Sequence, residues 1–227
     1  VFSSVASSYD LMNVLMSLGV HRAWKAAFVN RIAIRPDMRV LDLAGGTGDI
    51  AFRIRSKAKA GAAITVCDIN AEMLRVGRAR AADRGILGAQ SGIRWVCGDA
   101  EAIPAPDSTY DVYTIAFGLR NVTNIPAVLA EARRVLRPGG QFLCLEFSKV
   151  VLPILDDIYD RYSFSVLPQL GRWVARDEAA YRYLAESIRQ FPDQQTLARM
   201  IGDAGLEQVR VQNLSGGIAA IHTARRI

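Results

Sequence analysis

Between two aspartates the chain reads Asp42-Leu43-Ala44-Gly45-Gly46-Thr47-Gly48-Asp49, and a third carboxylate, Asp68, follows 20 residues after Gly48. Glycines in a tight turn let the backbone approach a ligand closely, and a helix that starts there turns its free N–H groups toward it. A carboxylate at the end of the next apolar run, Ala63-Ile64-Thr65-Val66-Cys67, is placed to accept from ribose hydroxyls. The pattern predicts a cofactor that contains a nucleoside. Gly46-x-Gly48-x-x-Ala51 also fits the dinucleotide fingerprint. A pyrophosphate at that turn would meet Asp42 in its mouth and Asp49 at the helix start, two like charges that cost affinity. S-adenosylmethionine (SAM) has a ribose but no phosphate, and brings a cationic ammonium and a cationic sulfonium that the same carboxylates favour. The remaining alternative is a glycine turn with a purely structural role.

The elements that position these residues follow from periodicity. An apolar stripe of Leu11, Met12, Leu15 and Met16 predicts a helix over 7–18, and a second runs from His21 to about Ile32. Strict alternation follows: strand 39–43, helix 48–58, strand 63–67, helix 71–84 entered through Asn70 as N-cap, strand 93–97, strand 110–117, helix 125–136 and strand 141–147. Arg137-Pro138-Gly139-Gly140 is read as the turn into the last of these. Alternating strands and helices give a parallel, doubly wound sheet, and ligands bind such sheets outside the carboxyl ends of the strands. That places Asp42, Asp68, Asp99 and Arg120 along one rim. Residues 150–191 break the rhythm with two helical stripes, Leu155/Ile158/Tyr159/Tyr162/Val166 and Tyr181/Leu184/Ile188/Phe191, with Phe164 and Trp173 besides. They read as extra helices on the body or as a lid and apolar wall for a greasy substrate. Asp193 then caps a helix ended by Gly205, and strands 207–213 and 218–225 close the chain as an antiparallel pair. The expectation is one domain over 1–227, with N-terminal helices in 1–35 and a helical insertion in 150–191, built on a seven-stranded, mostly parallel α/β sheet.

Composition narrows the class. Of 227 residues 51% are hydrophobic and 22% charged, which is a globular composition. The net charge of +6 suits an anionic lipid surface or an acidic substrate, but the basic residues are spread out and no basic run is interleaved with aromatics, so no nucleic-acid partner is expected. Cys67, Cys97 and Cys144 lie in or beside apolar runs with no metal or redox spacing, and read as reduced thiols. No metal site is expected. No stretch is long and apolar enough to span a bilayer and no signal-peptide pattern is present. The chain begins at Val1 without Met, inside a stretch that already looks structural, so native residues are expected to precede it.

With these pieces located, the sequence resembles the class I SAM-dependent methyltransferases, and among them the ubiquinone/menaquinone biosynthesis C-methyltransferase family. The stretches that carry the likeness are Tyr9-Asp10-Leu11-Met12-Asn13 through Trp24-Lys25, Leu41 to Asp49, and Arg134-Val135-Leu136-Arg137-Pro138-Gly139-Gly140 through Leu145-Glu146-Phe147-Ser148. Phe117-Gly118-Leu119-Arg120-Asn121 and the segment from Tyr181 to Ile188 agree as well. The likeness covers essentially the whole chain, and implies a Rossmann-like fold with SAM contacts at Thr47, Asp68, the Asp99-Ala100 pair and Ala116. Relatives can carry Ser at that last position, so here only a backbone contact remains. Added to Asp42 and Gly46 of the turn, these make up the expected cofactor site. The resemblance also implies a polyprenylated quinol as acceptor, a cytoplasmic place at the inner face of a membrane (the mitochondrial matrix for a eukaryotic source), and, as partners, other quinone-biosynthesis enzymes or a second copy of the chain.

The chemistry such an acceptor needs is a carbon nucleophile. A quinol ring carbon becomes one when the neighbouring hydroxyl loses its proton. A phenol has a pKa of about 10, and a fixed cation alongside lowers it by roughly 1–3 units. Arg120 has that chemistry without being a base itself, Asn121 would orient a water or the ring oxygen, and Tyr9 would close the pocket. A loop salt bridge for Arg120 and core packing for Tyr9 are the plainer alternatives. His222 reads as structural, and His21 has no assigned role. Three further readings stay open: methylation of another small apolar acceptor, a catalytically silent SAM-binding scaffold, and, remotely, a dehydrogenase.

Overall fold

The structure is a computed structural model that describes residues 19–58, 61–86, 92–151, 183 and 186–227. The helix expected at 7–18, Tyr9, and the aromatic residues Tyr159, Tyr162, Phe164 and Trp173 of the 150–191 segment lie outside them.

Helix α1 (His21–Asn30) precedes strand β1 (Arg39–Leu43), after which α2 (Asp49–Ala58), β2 (Ala63–Asp68), α3 (Ala71–Asp83), β3 (Ile93–Cys97) and β4 (Tyr110–Ala116) follow in order. Helix α4 (Ile125–Val135), β5 (Leu136–Phe147), α5 (Gln194–Asp203), β6 (Glu207–Leu214) and β7 (Ala219–Arg225) complete the described part. The seven strands form one sheet in the order β3-β2-β1-β4-β5-β7-β6. All neighbours are parallel except β7, which runs antiparallel to both β5 and β6. The order reverses between β1 and β4, and a ligand crevice opens at such a switch point.

Both faces of the sheet are covered, so its central strands are apolar on both sides. Val40, Val66, Val112 and Leu143 share one core with Trp24 and Phe28 of α1 and Ile54 of α2. Leu41, Leu43, Tyr113 and Phe142 share the other with Val128 and Leu129 of α4 and Leu197 and Ile201 of α5. Capping works as expected from sequence: Asn70 accepts from the amides of Glu72 and Met73, and Asp193 from those of Gln195 and Thr196. Lys57 of α2 donates to the carbonyls of Val29, Asn30 and Ile32, closing the C-terminal end of α1 and tying the two helices together.

One boundary differs. Arg137-Pro138-Gly139-Gly140 belongs to β5 rather than to a turn ahead of it. Pairing with β4 moves from Tyr110↔Leu136 to Val112↔Gln141, so the four residues bulge against Asp111 alone. Gly139, at φ 80°, permits the bulge, and its amide donates to Arg226 beyond β7, which keeps the bulged chain in the sheet.

Candidate active site

At the switch point lies a cleft of about 410 Å³, lined by the carboxyl ends of β1, β2 and β4 and the turns that follow the first four strands. Asp42, Gly46, Thr47, Asp68, Asp99, Ala100 and Ala116 all border it, and so does Asn121. Arg120 instead borders a second cavity, which shares Val122 and Thr123 with the first.

The glycine turn is built by close approaches. Gly46 and Gly48 have φ of 53° and 83°, a region in which a side chain is strained. A Cβ on Gly48 would also stand 2.5 Å from the Trp95 ring, and one on Gly77 of α3 would stand 2.4 Å from it. The indole thus fills the space between turn and helix that the two glycines leave. Among the residues lining the cleft, two that are not glycine share the left-handed region, Ala44 at φ 49° after β1 and Phe117 at φ 55° after β4. Each conformation costs roughly 1–2 kcal/mol, and both flank the cleft.

The carboxylates differ in how the fold satisfies them. Asp68 accepts from the Gly46 amide through one oxygen and from the Asn70 amide through the other, each at 2.8 Å. Burial raises its pKa, and the two amides work against that rise. It therefore ties the glycine turn to the end of β2. Asp42 is 1% exposed. Its Oδ1 accepts from the Thr114 hydroxyl at 2.8 Å, and its Oδ2 has no hydrogen-bond partner among the described residues. Burial pushes Asp42 up to about 7, with Asp49 and Asp68 adding to the rise, against the pull of the Thr114 hydroxyl and the Ala51 amide. Asp49 is held below the usual carboxylate range: burial would raise it, but Lys25 and Arg53 outweigh that. Burial, with Asp68 nearby, pushes the Cys67 thiol up to about 12, so this cleft residue is neutral and no nucleophile.

Two ion pairs flank Phe117. Lys25 Nζ bonds Asp49 Oδ2 at 2.8 Å and stands 6.0 Å from the Phe117 ring centroid. Arg120 Nη1 bonds Glu146 Oε1 at 2.8 Å and donates to the Phe117 carbonyl, with side-chain exposures of 2% and 1% for the pair. The sequence reading of Arg120 as a cation beside the acceptor lacked this counter-charge. Glu146 pairs with the guanidinium, which also fixes the turn that carries Asn121. Asn121 Oδ1 accepts from the Tyr183 hydroxyl at 3.4 Å. His222 is buried, with Nε2 against the Gln194 carbonyl. Sequence reasoning assigned no role to Lys25 or Glu146. For Lys25 a signal existed: His21, Trp24, Lys25, Phe28 and Val29 form the buried stripe of α1, and a lysine on such a stripe needs a partner.

The residues fit SAM on features of their own. A buried carboxylate oxygen without a partner suits a cationic ligand, and Asp49 occupies the α2 N-terminus where a pyrophosphate would have to sit. This fold and this cleft define a class I SAM-dependent methyltransferase. The sequence of the ubiE/COQ5 methyltransferase family matches residues 1–226, and the chain belongs to that family. It is 55% identical over 232 residues to the ubiquinone/menaquinone biosynthesis C-methyltransferase UbiE of Paracoccus denitrificans, covering 100% of this chain and 89% of that protein. To the mitochondrial 2-methoxy-6-polyprenyl-1,4-benzoquinol methylase of Arabidopsis thaliana it is 51% identical, covering 100% and 84% of the two chains. Among solved structures, a SAM-dependent methyltransferase from Aquifex aeolicus superposes with a TM-score of 0.66 at 17% identity, covering 89% of each chain, a likeness of fold.

Proposed function

We propose that the chain methylates a ring carbon of a polyprenylated benzoquinol or of demethylmenaquinol, in ubiquinone or menaquinone biosynthesis. The observation that carries this reading is the continuity of the cleft. One space runs from Asp68 past Phe117 to Asn121, so a nucleoside end and an acceptor end share it. The names of the two relatives above supply the acceptor class.

When bound, SAM supplies an electrophilic methyl on a positively charged sulfur that leaves as a neutral thioether. The chain's own work is to hold both partners and to favour the phenolate of the acceptor. Asp68, with Thr47, Asp99, Ala100 and the Ala116 backbone, would hold the nucleoside. Asn121 faces the cleft with its carbonyl oxygen engaged by Tyr183, which turns its amide N–H donors to an anionic ring oxygen. The Arg120–Glu146 pair positions that asparagine. Held there, an acceptor with its hydroxyl ionised would present a nucleophilic ortho carbon to that methyl, and solvent would take up both the hydroxyl proton and the ring proton displaced by the methyl.

The tail of such an acceptor holds it in lipid, since burial of each CH₂ is worth about 0.8 kcal/mol. Peripheral docking on an anionic membrane follows, helped by the net charge of +6 and weakened by salt. The aromatic residues of the 150–191 segment are its candidate contacts. Among the described residues no helix is long and apolar enough to cross a membrane.

A quinone has no hydroxyl to ionise, so only the reduced ring should accept a methyl. Transfer of labelled methyl to a short-tailed demethylated quinol, with its quinone as control under anaerobic conditions, tests this. Equal turnover of the two would rule out the phenolate route.

A further inference from the structure

Five carboxylates line the described part of the cleft, Asp42, Asp49, Asp68, Asp99 and Glu101, and Lys25 is the one cationic side chain among the lining residues. SAM brings the opposite inventory, two cations and one carboxylate. The direction in which it lies follows from the sheet. Ribose at Asp68 marks the end of β2, and Asp99 with Ala100 extends the nucleoside side to the end of β3. The amino-acid end must therefore run the other way, over the glycine turn toward β1 and β4, where Lys25 stands beside Asp49 and Phe117.

Resting on the SAM reading of this cleft, we propose that Lys25 is the anchor for the α-carboxylate of the cofactor's amino-acid end. Its side chain is 7% exposed, so it is held inside the wall of the cleft rather than in solvent. An ammonium has three donors, and the bond to Asp49 uses one of them. Asp49 does not depend on Lys25 alone, because Arg53 Nε donates to its other oxygen at 3.0 Å. Lys25 can thus share its charge with a ligand carboxylate without leaving Asp49 bare. The ring of Phe117 on one side and the buried stripe of α1 on the other fix where the ammonium stands. The assignment also gives α1 a function, since a helix outside the sheet then contributes directly to cofactor recognition.

A binding cycle tests this without any turnover. Calorimetry is run with S-adenosylhomocysteine, with its decarboxylated counterpart S-adenosyl-3-thiopropylamine, and with methylthioadenosine, which lacks the amino-acid end. Loss of the carboxylate should weaken binding to the wild type roughly 10–100-fold, the range for a charged hydrogen bond. Lys25→Met should lose a similar factor toward S-adenosylhomocysteine, bind the decarboxylated ligand no worse than the wild type does, and leave methylthioadenosine unaffected. Lys25→Arg should keep most of the preference for the carboxylate, and it carries the cycle if Lys25→Met does not fold. Equal weakening of all three ligands would make Lys25 a packing residue and overturn the proposal. So would unchanged S-adenosylhomocysteine affinity with a raised KM for the acceptor, which would place Lys25 at the ring oxygen. If the wild type bound none of the three, the SAM reading itself would fall, and the proposal with it.

Discussion

The two ion pairs beside Phe117 have similar lengths and opposite surroundings. Arg120–Glu146 is sealed, with both side chains at 2% exposure or less, and Glu146 also accepts from the amides of Arg120 and Phe147. Lys25–Asp49 opens on the cleft, with exposures of 7% and 37%. The same contrast separates two carboxylates. Asp68 has an amide on each oxygen, whereas Asp42 keeps one oxygen without a partner among the described residues. A charge whose bonds are completed by the fold holds the architecture in place. One left with spare bonding capacity at the cleft is available to a ligand.

The largest expected effect is on the sealed pair. Glu146→Ala would take from the buried Arg120 guanidinium the carboxylate that pairs with it at 2.8 Å, at a cost of about 3–5 kcal/mol. Chemical denaturation should record that loss, and replacing both residues by apolar ones should recover a good part of it. Wild-type stability in Glu146→Ala together with lost turnover would break the comparison and return Arg120 to the chemistry.

Asp68→Ala should come next. It removes the proposed ribose acceptor and also releases the Gly46 and Asn70 amides, so SAM affinity should fall by roughly 1.5–3 kcal/mol in a calorimetric titration. The same variant should lose some stability, because this carboxylate serves both ends of the contrast. Unchanged affinity would overturn its assignment to the ribose.

Asp42→Asn should give the smallest effect and the sharpest test. The folded-state pKa of Asp42 is raised to about 7 from 3.8, so between these values the native protein holds a proton that the unfolded chain has lost. The burden of this group on stability is therefore full above about 7 and fades as pH falls toward 4. Asparagine carries no such burden, so the variant should be more stable than the wild type by roughly 1–2 kcal/mol above neutrality, with the difference vanishing in acid. SAM, a cation, should bind the wild type more tightly as pH rises through about 7, and the variant should lack this rise. A flat profile in the wild type would show that the free oxygen of Asp42 does not serve the ligand.

What the sequence determined by itself is what depends on neighbours along the chain. The alternation of strand and helix, the caps at Asn70 and Asp193, the glycine turn and the spacing to Asp68 are local patterns, and the structure places them as read. The bulge at Arg137–Gly140 was not legible, because its place in the sheet depends on Asp111 across β4 and on Arg226 beyond β7. The same holds for the charges. Arg120 meets Glu146 26 residues away, Lys25 meets Asp49 at 24, and Asp42 meets Thr114 at 72. Residue type says that a group can carry charge or accept a bond. Only the packing of distant strands and helices decides whether that capacity is used up inside the fold or left for a ligand.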